Sequence, residues 1–129
     1  MGKEDIRIGQ KVLHEDDLKF PVTYNGEIFV LKYPSPFEKA AIETDISRKL
    51  GGFARDTFPN DHLYMVEATA YVDNLVVREE SPDWFKSAWI CYDEACIGAL
   101  YTGYLRFRGD FQTRIRDKRL EDTIKSKKP

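Results

Sequence analysis

The residues able to do chemistry are few, and their spacing suits little of it. The chain has two histidines, His14 and His62, and two cysteines, Cys91 and Cys96. His14 opens the run His14-Glu15-Asp16-Asp17, whose carboxylates would attract a divalent cation weakly but which reads more simply as a solvated acidic loop. His62 follows "FPND", outside HExxH or any other ligand spacing. The cysteines are five apart, a poor separation for meeting on one helix face, and neither belongs to a CxxC or histidine-flanked ligand set. They read as reduced, half-buried thiols. No GxSxG, Walker loop or GxGxxG occurs. Gly51-Gly52 reads as a helix stop, and no pair of carboxylates can be given acid–base work without a pocket to raise one pKa. The sequence therefore nominates no catalytic residue, no cofactor site and no metal ligand. It points to a protein that binds.

Two stretches offer binding surface. Residues 81–107 hold both tryptophans, both cysteines, three of seven tyrosines and two of eight phenylalanines. Within them Trp84, Phe85 and Trp89 follow Ser81-Pro82-Asp83, at a joint where they either cap the core or face a partner. Ile97, Leu100, Tyr101 and Leu105 recur at helical spacing and read as core. Further on, "RFRGDFQTRIRDKR" interleaves basic residues with Phe107 and Phe111, so Phe111, Arg114 and Arg116 are candidates for contact with an acidic partner or, by stacking and phosphate pairing, with nucleic acid. An acidic pI of about 5.7 and four acids in the same tail weigh against nucleic acid. "RGD" at 108–110 is also the integrin-binding tripeptide; at a helix joint it reads as chance.

Charge is unevenly placed. Residues 106–129 carry nine basic and four acidic side chains, net +5, while 1–105 carry eleven basic and eighteen acidic, net −7. Such asymmetry suits head-to-tail self-association or an acidic partner for the tail, and equally a solvated helix end. The start "MGKEDIRIGQK" has no apolar stretch of a secretory signal, Ile6 stands where myristoylation needs Ser or Thr, and no run of 18 apolar residues suggests a membrane span.

The elements that must position these residues are marked by local signals. At 129 residues one domain with one core is expected. The first dozen residues alternate weakly, as a short strand or a loose segment. Two β-rich runs flank Asn25-Gly26, the strongest hairpin signal in the chain. Ser35, Pro36 and Glu38 make a capping box that opens a helix, and Gly51-Gly52 closes it, with Ile42, Ile46 and Leu50 on one face and Phe53 just beyond. Residues 61–79 read as a helix packed on two sides, or as two strands turning at Asp73-Asn74. Asp93-Glu94 starts a helix that Gly109 should stop, with Asp110 capping a separate tail helix over 111–125. The fold class expected is α+β, mainly α. An N-terminal β-hairpin (about 20–33) precedes a small helical bundle (36–50, 61–79, 93–108), and 1–108 forms one compact domain. A basic helical tail, 109–129, follows.

Taken in order, Tyr24 to Tyr33, Ser35 to Leu50, Glu67 to Val77, the Glu80-to-Phe85 joint and Asp93 to Phe107 resemble the tail assembly chaperones of long-tailed bacteriophages. Those proteins tend to have an opening hairpin, a proline-marked first helix, an alanine- and valine-rich helix, an acidic Ser/Thr-Pro-acidic-aromatic joint and an acid-capped helix ending in aromatics. The likeness covers roughly residues 20–108; the two tryptophans and the basic tail depart from it. It implies a non-catalytic, mostly helical protein of the bacterial host's cytoplasm. Such a protein coats the tape-measure protein, keeps it soluble until tail-tube subunits polymerise around it, and is absent from the finished particle. Such families often make a longer frameshifted product as well, for which Lys127-Lys128 would suit a slippage site and equally a plain basic tail. A structural piece of the virion tail, neck or baseplate is the alternative, and a small nucleic-acid-binding module the second.

Overall fold

The computed structural model describes residues 5–8 and 11–126, with side chains from 17 to 117. The HEDD side chains at 14–16 and Lys127-Lys128 lie outside these residues. Two antiparallel hairpins come first, where the sequence marked one. β1 (Asp5–Ile8) pairs with β2 (Lys11–His14), and a 3-10 turn, Glu15–Leu18, leads into β3 (Lys19–Tyr24) and β4 (Glu27–Lys32). Asn25 and Gly26, at φ 52° and 79°, supply the two positive-φ residues that a tight two-residue hairpin needs. One face of this second hairpin turns Phe20, Phe29 and Leu31 into the core.

The outer edge of β4 is completed from far along the chain. The Val30 N–H donates to Ser81 Oγ (3.1 Å), the Val77 N–H donates to the Val30 carbonyl (2.8 Å), and Leu31 bridges Val76. Val30 and Pro21 form a non-hydrogen-bonded pair of the antiparallel ladder, so the polar groups of Val30 face outward, and Pro21, whose N–H would also face outward, costs the hairpin no ladder bond. This contact ends the second long helix, α2 (Asn60–Leu75), at Leu75 rather than at 79. Val76 and Val77 are extended instead, so the valines' β preference is used in a bridge and the hairpin at Asp73-Asn74 does not form.

α1 (Pro36–Lys49) begins as its sequence specifies. The Glu38 N–H donates to Ser35 Oγ at 3.1 Å, and the Ser35 N–H donates to Glu38 Oε1 at 2.9 Å. Ile42, Ile46 and Leu50 are buried, but the turn at Gly51-Gly52 sends Phe53 into solvent, 71% exposed. α2 (Asn60–Leu75) buries Ala68, Ala70, Tyr71, Val72 and Leu75.

α3 (Glu94–Ser126) is one helix of 33 residues, about 50 Å long. The stop expected at Gly109 and the separate helix from 111 are not there. The reason is Phe111, which is buried against Leu18 and lies 5.0 Å from the Tyr33 ring and 5.5 Å from Phe107. A mid-helix glycine costs about 1 kcal/mol, whereas burying a phenylalanine contributes about 1.5–3 kcal/mol. The helix therefore runs through. On the same helix Ile97, Leu100 and Tyr101 are buried as expected, but Leu105 is 37% exposed and Tyr104 is the residue fully in the core.

β3 lies close along α3. A Cβ built on Gly103 would come 2.5 Å from Val22 Cγ2, nearer than real atoms approach, and Phe20 stacks on Phe107 at 4.3 Å. Beside this seam five tyrosines make a chain of ring contacts running Tyr64, Tyr101, Tyr71, Tyr104, Tyr33, each 5.3–6.0 Å from the next. The Tyr71 hydroxyl donates to Glu43 Oε2 (2.5 Å), and Arg55 donates to Glu43 Oε1 (2.6 Å). Partial burial alone would raise the Glu43 carboxyl, but these two donors outweigh it and hold the group below its ordinary value. Burial first, and Glu43 second, push the Tyr71 hydroxyl far above the ordinary 10.0. Tyr101 and Tyr104 are raised chiefly by burial.

Two outcomes follow. Gly109 has nothing within 4 Å of an added Cβ, so Gly109→Ala is expected to stabilise the protein by about 0.5–1 kcal/mol in urea unfolding. Gly103→Ala gains the same propensity yet is expected to lose about 1–2 kcal/mol through overpacking, and Val22→Ala to restore most of it. Equal stabilisation by both alanines would contradict the close approach. The raised tyrosines are neutral in the fold and ionise more readily when unfolded, so their contribution is whole below pH 10 and fades as pH rises past it. Tyrosinate absorbance from this cluster should therefore grow in step with loss of the helical circular dichroism. Full tyrosine titration with helix intact would refute the buried cluster.

Candidate partner surface

The segment between α2 and α3 is held by one carboxylate. Asp73 Oδ1 accepts from Ser87 Oγ (2.8 Å), from the Ala88 N–H (3.0 Å) and from Arg78 (3.0 Å), whose Nε donates to the Lys86 carbonyl at 2.7 Å. Ser81 fastens the other end to Val30. With both ends fixed, the three aromatic candidates are sorted among different environments. Phe85 is 3% exposed and meets Phe29 edge-on at 5.6 Å, so it is a core residue and not a surface one. Trp89 is half-buried against the core, with the Lys49 ammonium 4.7 Å above its ring. Trp84 alone faces outward, 50% exposed.

Trp84 is nevertheless rigidly placed. Its ring stands edge-on to Phe29 (5.8 Å) and Phe85 (5.9 Å), and its Nε1–H donates to both Glu27 oxygens at 3.0 Å. Ile28 beside Glu27 is exposed, as are Ile90 and Tyr92 on the approach to α3. The Tyr24 hydroxyl donates to Asp93 Oδ2 (3.0 Å), tying the hairpin tip to the start of α3, where Asp93 Oδ1 accepts from the Cys96 N–H. That hydrogen bond, with a smaller contribution from burial, also raises the Tyr24 hydroxyl above its ordinary value. Sequence reasoning missed Ile28, Ile90 and Tyr92 because each lies in a run with no amphipathic pattern to flag it.

The remaining candidates sit elsewhere. Phe111 is buried and anchors α3, so it is not an exposed stacking group. Arg114 is exposed and holds its guanidinium 6.0 Å from the Phe107 ring and 5.7 Å from Phe111; Arg116 is exposed as well. About 25 Å of helix separates Glu94 from Phe111. The six candidate residues thus divide between two places and form no single site.

A groove of about 720 Å³ opens between the first turns of α2 and α3, lined by Asn60, Asp61, His62, Tyr64, Met65 and Glu94. Nearby, the Cys96 thiol is fully buried and pushed up to about 12, first by burial and then by Cys91 beside it, so it is a poor nucleophile. Both cysteines are free thiols. Among the described residues no three His, Cys, Asp or Glu side chains converge as a metal ion would need, and no helix is long and apolar enough to cross a membrane. Comparison with protein-family models, curated proteins and solved structures found no match.

The division among the aromatics has a direct test in urea unfolding. Phe85→Ala is expected to cost about 3–5 kcal/mol. Trp84→Ala, which removes a half-open ring, should cost less than about half as much. Similar losses for the two would mean that Trp84 is core.

Proposed function

We propose that the chain is a non-catalytic tail assembly chaperone of a long-tailed bacteriophage. In this reading it binds the tape-measure protein in the host cytoplasm, and keeps that client soluble before tail-tube subunits polymerise. The observation that carries the client-binding part of the reading is Trp84, which departs from the family pattern but offers a contact surface. A large aromatic ring is left half open, yet is fixed by Phe29, Phe85 and Glu27, with Ile28, Ile90 and Tyr92 exposed around the hairpin tip and the start of α3. A ring immobilised beforehand loses little side-chain entropy on binding, so it suits weak contacts repeated along a long helical client. The order of hairpin, capped helix, second helix, Ser-Pro joint and acid-capped helix supports the family resemblance.

The test is co-expression with the long helical, tape-measure-like protein encoded nearby, followed by pull-down and size exclusion. A soluble complex with many copies per client is expected, and Trp84→Ala should reduce the copies retained at least several-fold. A client that remains insoluble while this chain elutes alone would end the chaperone reading. Abundant peptides of the chain in purified virions would favour a structural role in the particle instead.

A further inference from the structure

We infer that this chain associates with itself head to tail, the basic half of α3 from one copy lying in the groove between the first turns of α2 and α3 of the next. This goes beyond the client-binding reading and does not depend on it, because no client is involved.

The first observation is the basic end of α3. Ile115 is partly buried against the Leu18–Phe111 cluster, and α3 continues for 11 residues past it, about 16 Å. Arg106, Arg114 and Arg116 are exposed, and none is ion-paired among the described residues. With the lysines and arginines that follow, this end of the chain is net +5.

The second is the groove. It offers Tyr64, 44% exposed, and Met65 as apolar contact, flanked by the exposed carboxylates of Asp61 and Glu94. It belongs to the part of the chain that is net −7. The third is geometry. Groove and basic end lie at opposite ends of one continuous helix, so a copy cannot satisfy its own tail. Two copies can. Such a contact is heterologous: a pair uses one tail and one groove and leaves one of each free, so growth continues into rings or open chains. Phosphates would also suit the arginines, and Asp110 and Asp117, exposed on the same stretch of helix, oppose phosphates and groove carboxylates alike; what favours the groove is the apolar contact that Tyr64 and Met65 offer beside its two carboxylates. A complementary protein surface of the same chain is the better fit.

Light scattering on the full chain over a range of concentrations gives the test. At about 0.1 M salt the apparent mass should climb above the 15.0 kDa of one chain, and at about 1 M, where screening reaches about 3 Å, it should fall back. Arg114→Glu with Arg116→Glu should hold the protein at one chain's mass, as should Asp61→Lys with Glu94→Lys. Mixing these two variants makes both pairings complementary again, unaltered tail on unaltered groove and reversed tail on reversed groove, and should restore growth in which the two variants alternate. Placing all four substitutions in one chain should restore concentration-dependent growth. If charge reversal unfolds the chain by circular dichroism, the neutral set Arg114→Gln, Arg116→Gln, Asp61→Asn and Glu94→Gln should weaken association at least tenfold. A wild-type chain that stays at 15.0 kDa throughout would overturn the inference, as would variants that associate like wild type. Salt-sensitive binding of a short mixed-sequence DNA oligonucleotide by an otherwise monomeric chain would assign the arginines to nucleic acid instead.

Discussion

The close approach of β3 to α3 at Gly103 is the constraint on which the other contacts depend. Without a side chain at that position, Val22 can lie directly on the helix, and the rest of the strand is set down along it. Phe20 then stacks on Phe107, Leu18 reaches Phe111, and Tyr24 at the hairpin tip meets Asp93 at the helix start. One strand thereby touches α3 from its first turn to its middle. The opposite edge of the same hairpin is closed by residues 76–81, so the sheet is held from both sides although it has only two strands. A hairpin alone would be marginal in water; here the helices supply what further strands would.

The tyrosine chain shows how the core tolerates polar groups. Tyr71 delivers its hydroxyl to Glu43, and Arg55 completes that carboxylate, so the polar ends meet near the surface while the rings pack inward. Tyr104 has no carboxylate outlet: among the described residues its buried hydroxyl meets no partner within hydrogen-bond distance, although the Arg108 side chain lies near enough to favour its ionised form. Leaving such a group unpaired costs about 1–3 kcal/mol. Ring contacts with Tyr33, Tyr71 and Tyr101 offset the cost.

Elements specified by neighbours in sequence were legible beforehand. Asn25-Gly26 needs only its own backbone freedom, and the Ser35–Glu38 box only one helical turn, so both formed where they were expected. The mainly helical class with a small sheet follows from the same local signals. Features decided at long range were not legible. α2 ends early because Val30 needs a partner more than forty residues away, and α3 passes Gly109 because Leu18 and Tyr33 wait on the far side of Phe111. Among the aromatics of the Ser-Pro joint, composition marked the right segment but not which ring faces out. That was settled by Asp73, whose carboxylate fixes Ser87 and Ala88 from fourteen and fifteen residues upstream.

The pairing of Phe20 with Phe107 also sets a timetable for the chain as it is made. The two rings are 87 residues apart, so at about 5–20 residues per second the hairpin waits roughly 4–17 s on the ribosome before the helix it rests on has emerged. Through that interval Phe29 and Leu31, fully buried in the finished protein, are covered by what precedes α3: α2, Val76 bridged to Leu31, and Phe85 against Phe29. Completion of the core is therefore a late event governed by the arrival of α3. A nascent chain halted before that helix would present the same kind of apolar strand surface that an assembly factor is there to shield.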